Sequence, residues 1–87
     1  MENKEQRNYI YVAFLYLKGR GVVDLVERHD LLQAIDAWED LVEEARSDIF
    51  GEGIYEATLY REFYDEKGRV AKSDLFRRAV IDRGDEL

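Results

Sequence analysis

The chain has 87 residues, of which 46% are hydrophobic and 38% are charged, a composition typical of one small globular domain. Its 20 acidic and 13 basic residues give a net charge of −7, which argues against nucleic acid or an anionic membrane as the main partner. Because cysteine is absent, disulfides, thiolate nucleophiles and sulfur-ligated metal sites are excluded.

The longest apolar run extends from Tyr9 to Leu17 and has nine residues, far fewer than the roughly 20 that cross a bilayer. No small-residue cleavage site follows this run, so we expect neither a membrane span nor a secretory signal. The sequence therefore predicts a cytoplasmic protein with a single domain over residues 1–87, frayed at residues 1–7 and 84–87.

The first predicted element covers residues 8–18, which are rich in tyrosine, isoleucine, valine and phenylalanine, as strands are. Both alternating sets of residues are apolar, which predicts a strand that is covered on both faces or central in its sheet. A buried helix that ends at Gly19 is the alternative, because periodicity does not separate the two for so short a run.

The next segment follows a turn predicted at Gly19-Arg20-Gly21. Its apolar residues recur at one-, three- and four-residue spacings, which predict a short helix through about Arg28: they are Val22, Val23, Leu25 and Val26.

The main helix is predicted over about residues 31–48. Asp30 is a suitable N-cap, because its side chain can accept hydrogen bonds from the first turn, and Gly51 and Gly53 end the pattern. One apolar stripe follows the helix and comprises Leu31, Ile35, Trp38, Val42 and Ala45, broadened by Leu32, Leu41 and Ile49.

The C-terminal third predicts a hairpin. Residues 54–65 alternate in polarity as a strand does, and Asp65 to Gly68 suits the loop before a return strand that begins at Arg69. Ser73 can cap a C-terminal helix over residues 74–83, in which apolar residues pair at four-residue spacing, and a continuing strand is the alternative. Together these elements predict an α+β fold: a small, mostly antiparallel three-stranded sheet with helices packed on one face, in the order β-α-α-β-β-α.

Residues suited to catalysis are few. The single histidine, His29, lies at a predicted helix junction and lacks the partners that a nucleophilic site requires. The Gly-Arg-Gly turn lacks the remaining residues of a phosphate-binding loop, and carboxylates on one helix face approach a metal ion from one direction only. We therefore predict no enzymatic activity, no catalytic residue, no cofactor and no metal site.

Negative charge is concentrated on the main helix. Residues 30–48 hold seven acids and one base, Arg46, and so carry −6 of the net charge of −7. Like charges at four-residue spacing destabilise a helix, so the row indicates either a solvated face or a surface for a basic partner. With one turn every 5.4 Å or so, such a row of carboxylates can imitate a phosphate backbone.

The sequence thus predicts a non-enzymatic protein-binding domain whose helix docks on the basic, nucleic-acid-binding site of a partner protein such as a nuclease. Tyrosine is enriched at binding interfaces, which adds two anchors to the acids. The predicted contact residues are Asp36, Glu39, Asp40, Glu43, Glu44, Tyr60 and Tyr64. Size and acidity are compatible with the small inhibitors that phages and plasmids encode, and equally with immunity proteins and antitoxins.

A self-associating structural or regulatory subunit is the alternative prediction. An exposed sheet edge, or the acidic helix against the arginine-bearing C-terminal part of another copy, would form a homodimer. Neither hypothesis involves direct contact with nucleic acid or a membrane.

Overall fold

The computed structural model describes residues 8–47 and 50–84, which form a four-stranded antiparallel sheet with one helix on one of its faces. The elements are β1 (Tyr9–Leu17), β2 (Gly21–Arg28), α1 (Leu31–Arg46), β3 (Ile54–Tyr64) and β4 (Val70–Asp82). The strand order is β2-β1-β3-β4, so β1 and β3 are central. The predicted three-stranded sheet in the order β-α-α-β-β-α is therefore wrong, because the described chain follows β-β-α-β-β.

The first segment is a strand, as predicted, and it is central because β1 pairs with both β2 and β3. The two segments predicted as short helices are strands instead. Residues 22–28 belong to β2, and the proposed C-terminal helix over 74–83 is the second half of β4.

Two β-bulges explain both wrong assignments. In β2, Tyr16 pairs with Val22 and Leu15 with Asp24, which leaves Val23 as the extra residue. In β4, Leu59 pairs with Arg77 and Tyr60 with Leu75, which leaves Phe76 as the extra residue. Because a bulge interrupts the two-residue alternation of a strand, the apolar residues on either side recur at spacings that resemble a helix.

Helix α1 confirms the predicted main helix and its N-cap, since Asp30 Oδ2 accepts a hydrogen bond of 3.1 Å from the Gln33 amide. The helix ends at Arg46, and the Ser47 hydroxyl donates to the Glu44 carbonyl at 2.7 Å. Leu32 was predicted on the buried stripe but is 72% exposed. The fully buried positions include Ala34, Ala37 and Ala45, whose small side chains allow α1 to approach the sheet closely. Ile49 lies outside the described residues.

The core lies between α1 and one face of the sheet. Its largest fully buried side chains are Tyr55, Leu15, Leu41 and Leu59. Trp38 packs against this cluster, as predicted, and its indole N–H donates to the Ala57 carbonyl at 3.0 Å. This hydrogen bond satisfies the indole N–H at the perimeter of the core.

On the same face of the sheet as α1, an aromatic cluster around Arg61 continues the packing. The Arg61 guanidinium lies 5.6, 5.0 and 5.1 Å from the ring centroids of Tyr9, Phe63 and Phe76, and 3.4 Å from Asp74 Oδ2. Such cation–π contacts allow a charged residue to occupy a position of the strand where the alternation requires an apolar one.

The hairpin loop lies where it is predicted, and Asp65 stabilises it. One carboxylate oxygen of Asp65 accepts from the Lys67 and Arg69 amides at 2.9 and 3.0 Å. These hydrogen bonds favour the charged form and lower the pKa of Asp65. Fraying of residues 1–7 and 85–87 falls outside the described residues, whereas the Gly84 amide donates to Asp82 Oδ1 at 3.0 Å.

Candidate functional site

The face of the sheet opposite α1 carries no covering element among the described residues, and we call it the open face. Pairing between the strands arranges its side chains in three rows that run from β2 to β4. The rows are Val22, Tyr16, Glu56 and Val80; then Leu25, Phe14, Thr58 and Arg78; then Glu27, Val12, Tyr60 and Leu75.

Most of the side chains on the open face are apolar. The side chains on the two edge strands are about half exposed: Val22 at 54%, Leu25 at 46%, Leu75 at 53% and Val80 at 54%. An antiparallel sheet that faces water on one side ordinarily places polar residues there. A continuous apolar patch on a small domain instead indicates an interaction surface.

A shallow depression of about 340 Å³ lies on the open face. It is lined by Phe14, Tyr16, Val22, Glu56, Thr58 and Tyr60. Phe14 and Tyr60 pack edge to face with their centroids 6.2 Å apart, which fixes one wall of the depression. The open face therefore combines protruding aliphatic side chains with a concavity large enough to receive one.

The open face carries one ion pair and two further carboxylates. Arg78 on β4 pairs with Glu56 on β3, whereas Glu27 on β2 and Glu62 on β3 form no ion pair with another described residue. Since the charges of Arg78 and Glu56 neutralise each other, contact with another apolar surface would desolvate few unpaired charges.

The structure divides the predicted contact residues between two opposite surfaces. Tyr60 lies on the open face, and Tyr64 lies on the same side of β3, where its hydroxyl donates to Glu62 Oε1 at 3.3 Å. Desolvation, together with the nearby charges of Glu62 and Glu27, raises the pKa of Tyr64. The acidic residues lie on α1, on the other side of the sheet. One flat partner surface cannot contact both groups.

Four of the five predicted acids form an exposed row on α1, which we call the acidic row: Asp36, Glu39, Asp40 and Glu43. None of these four forms an ion pair with another residue in the described part of the chain. The row therefore presents unneutralised negative charge to solvent, which is what a basic partner would recognise.

Glu44 differs from the acidic row because it is half-buried beside Asp24 of β2. Desolvation raises the pKa of Glu44 to about 7, and a hydrogen bond to Asp24 and the charges of Asp24 and Asp40 act in the same direction. Its Oε1 atom is buried and has no hydrogen-bond partner. Near neutral pH the Glu44 carboxyl group is therefore partly protonated, and it shares a hydrogen bond with Asp24 of β2.

No group of three or more histidine or acidic side chains within residues 8–47 and 50–84 could hold a metal ion. No helix in that part of the chain is long and apolar enough to cross a bilayer. Comparison with protein-family models, curated proteins and solved structures finds no match to this chain.

Sequence reasoning missed the apolar edge residues of the open face. A signal was present in β1, where Ile10, Val12, Phe14 and Tyr16 are apolar on the side that faces away from α1. Because helices were predicted on one face of the sheet only, apolar residues on the other face already indicated that a further surface packs against it.

Proposed function

We propose that the protein is a non-enzymatic protein-binding domain whose open face docks on an apolar surface of another protein chain. The observation that supports this function is the half-exposed set of Val22, Leu25, Leu75 and Val80 around a depression with aromatic walls. Burial of apolar area contributes about 25 cal/mol per Å², so this surface gains free energy when a partner covers it.

The test compares two lysine substitutions of exposed leucines. Leu25→Lys places a charge on the open face, and Leu32→Lys places the same charge on α1, where Leu32 is even more exposed. Proteins captured from the cells that encode the chain would be purified and titrated calorimetrically against the wild type and both variants.

We expect Leu25→Lys to weaken the complex by about tenfold or more and Leu32→Lys to leave it unchanged, because a buried lysine charge is costly. Circular dichroism would establish that both variants fold. Equal affinities for the wild type and Leu25→Lys would contradict the assignment of the open face.

The acidic row supports a second candidate function, which is docking on a basic surface such as the nucleic-acid-binding site of a nuclease in the cytoplasm. The specific observation is that its four carboxylates are exposed and unpaired within the described residues. The triple variant Asp36→Lys, Asp40→Lys, Glu43→Lys would lose such a partner, and wild-type binding would weaken steeply with salt. A partner retained by this variant would rule out the acidic row as its docking site.

A further inference from the structure

We infer that the open face binds a second copy of this chain, so that two sheets pack face to face in a homodimer with the helices outside. This inference rests on the proposed function, because it names the partner of the same surface. The resulting arrangement of layers would be helix, sheet, sheet, helix, which places a cover on both faces of each sheet.

The open face approaches the size that a dimer interface requires. Four strands about 4.8 Å apart and three rows that span about 20 Å along the strands give a flat area of roughly 400 Å². Protruding side chains enlarge the accessible area toward the roughly 800 Å² per partner that specific interfaces bury.

The open face also has the shape that a two-fold contact requires, since one patch must fit itself. It carries protruding side chains on both edge strands, Leu25 and Leu75, and a depression between them against Phe14 and Tyr60. Each copy can therefore set the protruding side chains of its edge strands against those of the other, with the two aromatic-walled depressions facing each other at the centre.

The distribution of charge favours the same partner. With layers about 10 Å thick, the acidic rows of two copies would lie roughly 30 Å apart, several times the Debye length of about 8 Å, so their repulsion would be screened. A two-fold axis parallel to the strands would place β2 of one copy over β4 of the other. This brings Glu27 of one copy within one row of Arg78 of the other, a pairing of opposite charges.

The experiment is sedimentation equilibrium of the purified chain from about 1 to 200 µM, in roughly 150 and 500 mM NaCl. We expect a mass twice that of the 10.3 kDa chain at the higher concentrations, and no loss of dimer at the higher salt. Leu25→Lys and Leu75→Lys should each raise the dissociation constant at least about tenfold, whereas Leu32→Lys should not change it. Using two variants on different edge strands keeps the test valid if one of them fails to fold.

Three outcomes would overturn the inference: a wild-type chain that stays monomeric throughout, a dimer that both open-face variants retain, or a dimer that dissociates at high salt. The second outcome would indicate pairing of sheet edges, and the third would indicate contact between the acidic row and the arginines of β4. If the wild type is monomeric but a different protein binds it in a manner that depends on Leu25, the inference fails and the proposed function stands. If neither binding event occurs, both fail.

Discussion

Glu44 is half-buried between α1 and β2 beside the Asp24 carboxyl group, and its desolvation, reinforced by this contact, makes stability depend on pH. In the folded chain the pKa of Glu44 is about 7, above its ordinary value of 4.5. The folded state therefore binds more protons than the unfolded state between these values, and stability falls as pH rises through this window. We expect a loss on the order of 1–2 kcal/mol between pH of about 4.5 and 7, measured by urea unfolding.

The matched variants for this prediction are Glu44→Gln and Glu43→Gln, which remove one charge each from neighbouring positions of the helix. Glu44→Gln should abolish most of the decline in that pH window, whereas Glu43→Gln, at an exposed position, should preserve it. A decline that survives Glu44→Gln would assign the effect to another group.

Gly53 precedes β3 at a position where the backbone excludes a side chain. Its φ is +147°, and an added Cβ would lie 2.5 Å from Leu17 Cδ1 in the core. Gly51, with a φ of +90°, has no atom within 4 Å of the corresponding position. We expect Gly51→Ala to cost about 1 kcal/mol and Gly53→Ala about 2–3 kcal/mol, because only the latter adds overpacking to backbone strain. Thermal unfolding of the two variants measures the difference, and equal costs would contradict it.

At the scale of the elements, the acidic row opposes the stability of the helix that carries it. Neutralising Asp36, Asp40 and Glu43 as Asp36→Asn, Asp40→Asn, Glu43→Gln should relieve repulsion between neighbours three and four residues apart. We expect a net gain of about 0.5–1 kcal/mol at low salt that shrinks as salt is added. Chemical unfolding at two ionic strengths tests this, and a less stable variant would show that the row does not oppose folding.

The elements also show which parts of the fold the sequence can predict. Helix α1 with its Asp30 cap, strands β1 and β3, and the loop at Asp65 all follow from local patterns, because nothing interrupts their periodicity. Strand β2 and the second half of β4 do not, since the extra residues Val23 and Phe76 shift the alternation. The candidate site was partly predictable, because Tyr60 was identified from its residue type. The leucines and valines of the edge strands were not predictable, because only strand pairing shows that they lie on the open face.

At the scale of the whole molecule, a dimer links unfolding to protein concentration. If the folded state is a dimer and the unfolded state a monomer, mass action raises the unfolding temperature as the chain becomes more concentrated. We expect a rise of several degrees over a roughly hundredfold increase in concentration, with the slope lost in Leu25→Lys. Differential scanning calorimetry of both proteins measures this, and a wild-type unfolding temperature independent of concentration would contradict it.

The bulges at Val23 and Phe76 have a further consequence, because each lies on an edge strand of the sheet. A regular edge offers a continuous row of free amides and carbonyls to any neighbouring chain, whereas a bulge twists that row and breaks its spacing. Growth of the sheet by endless addition of strands, as in a fibril, is thereby discouraged at both edges. Deleting Val23 would straighten the edge at β2, and we expect such a chain to form thioflavin-positive aggregates where the intact sequence remains in solution.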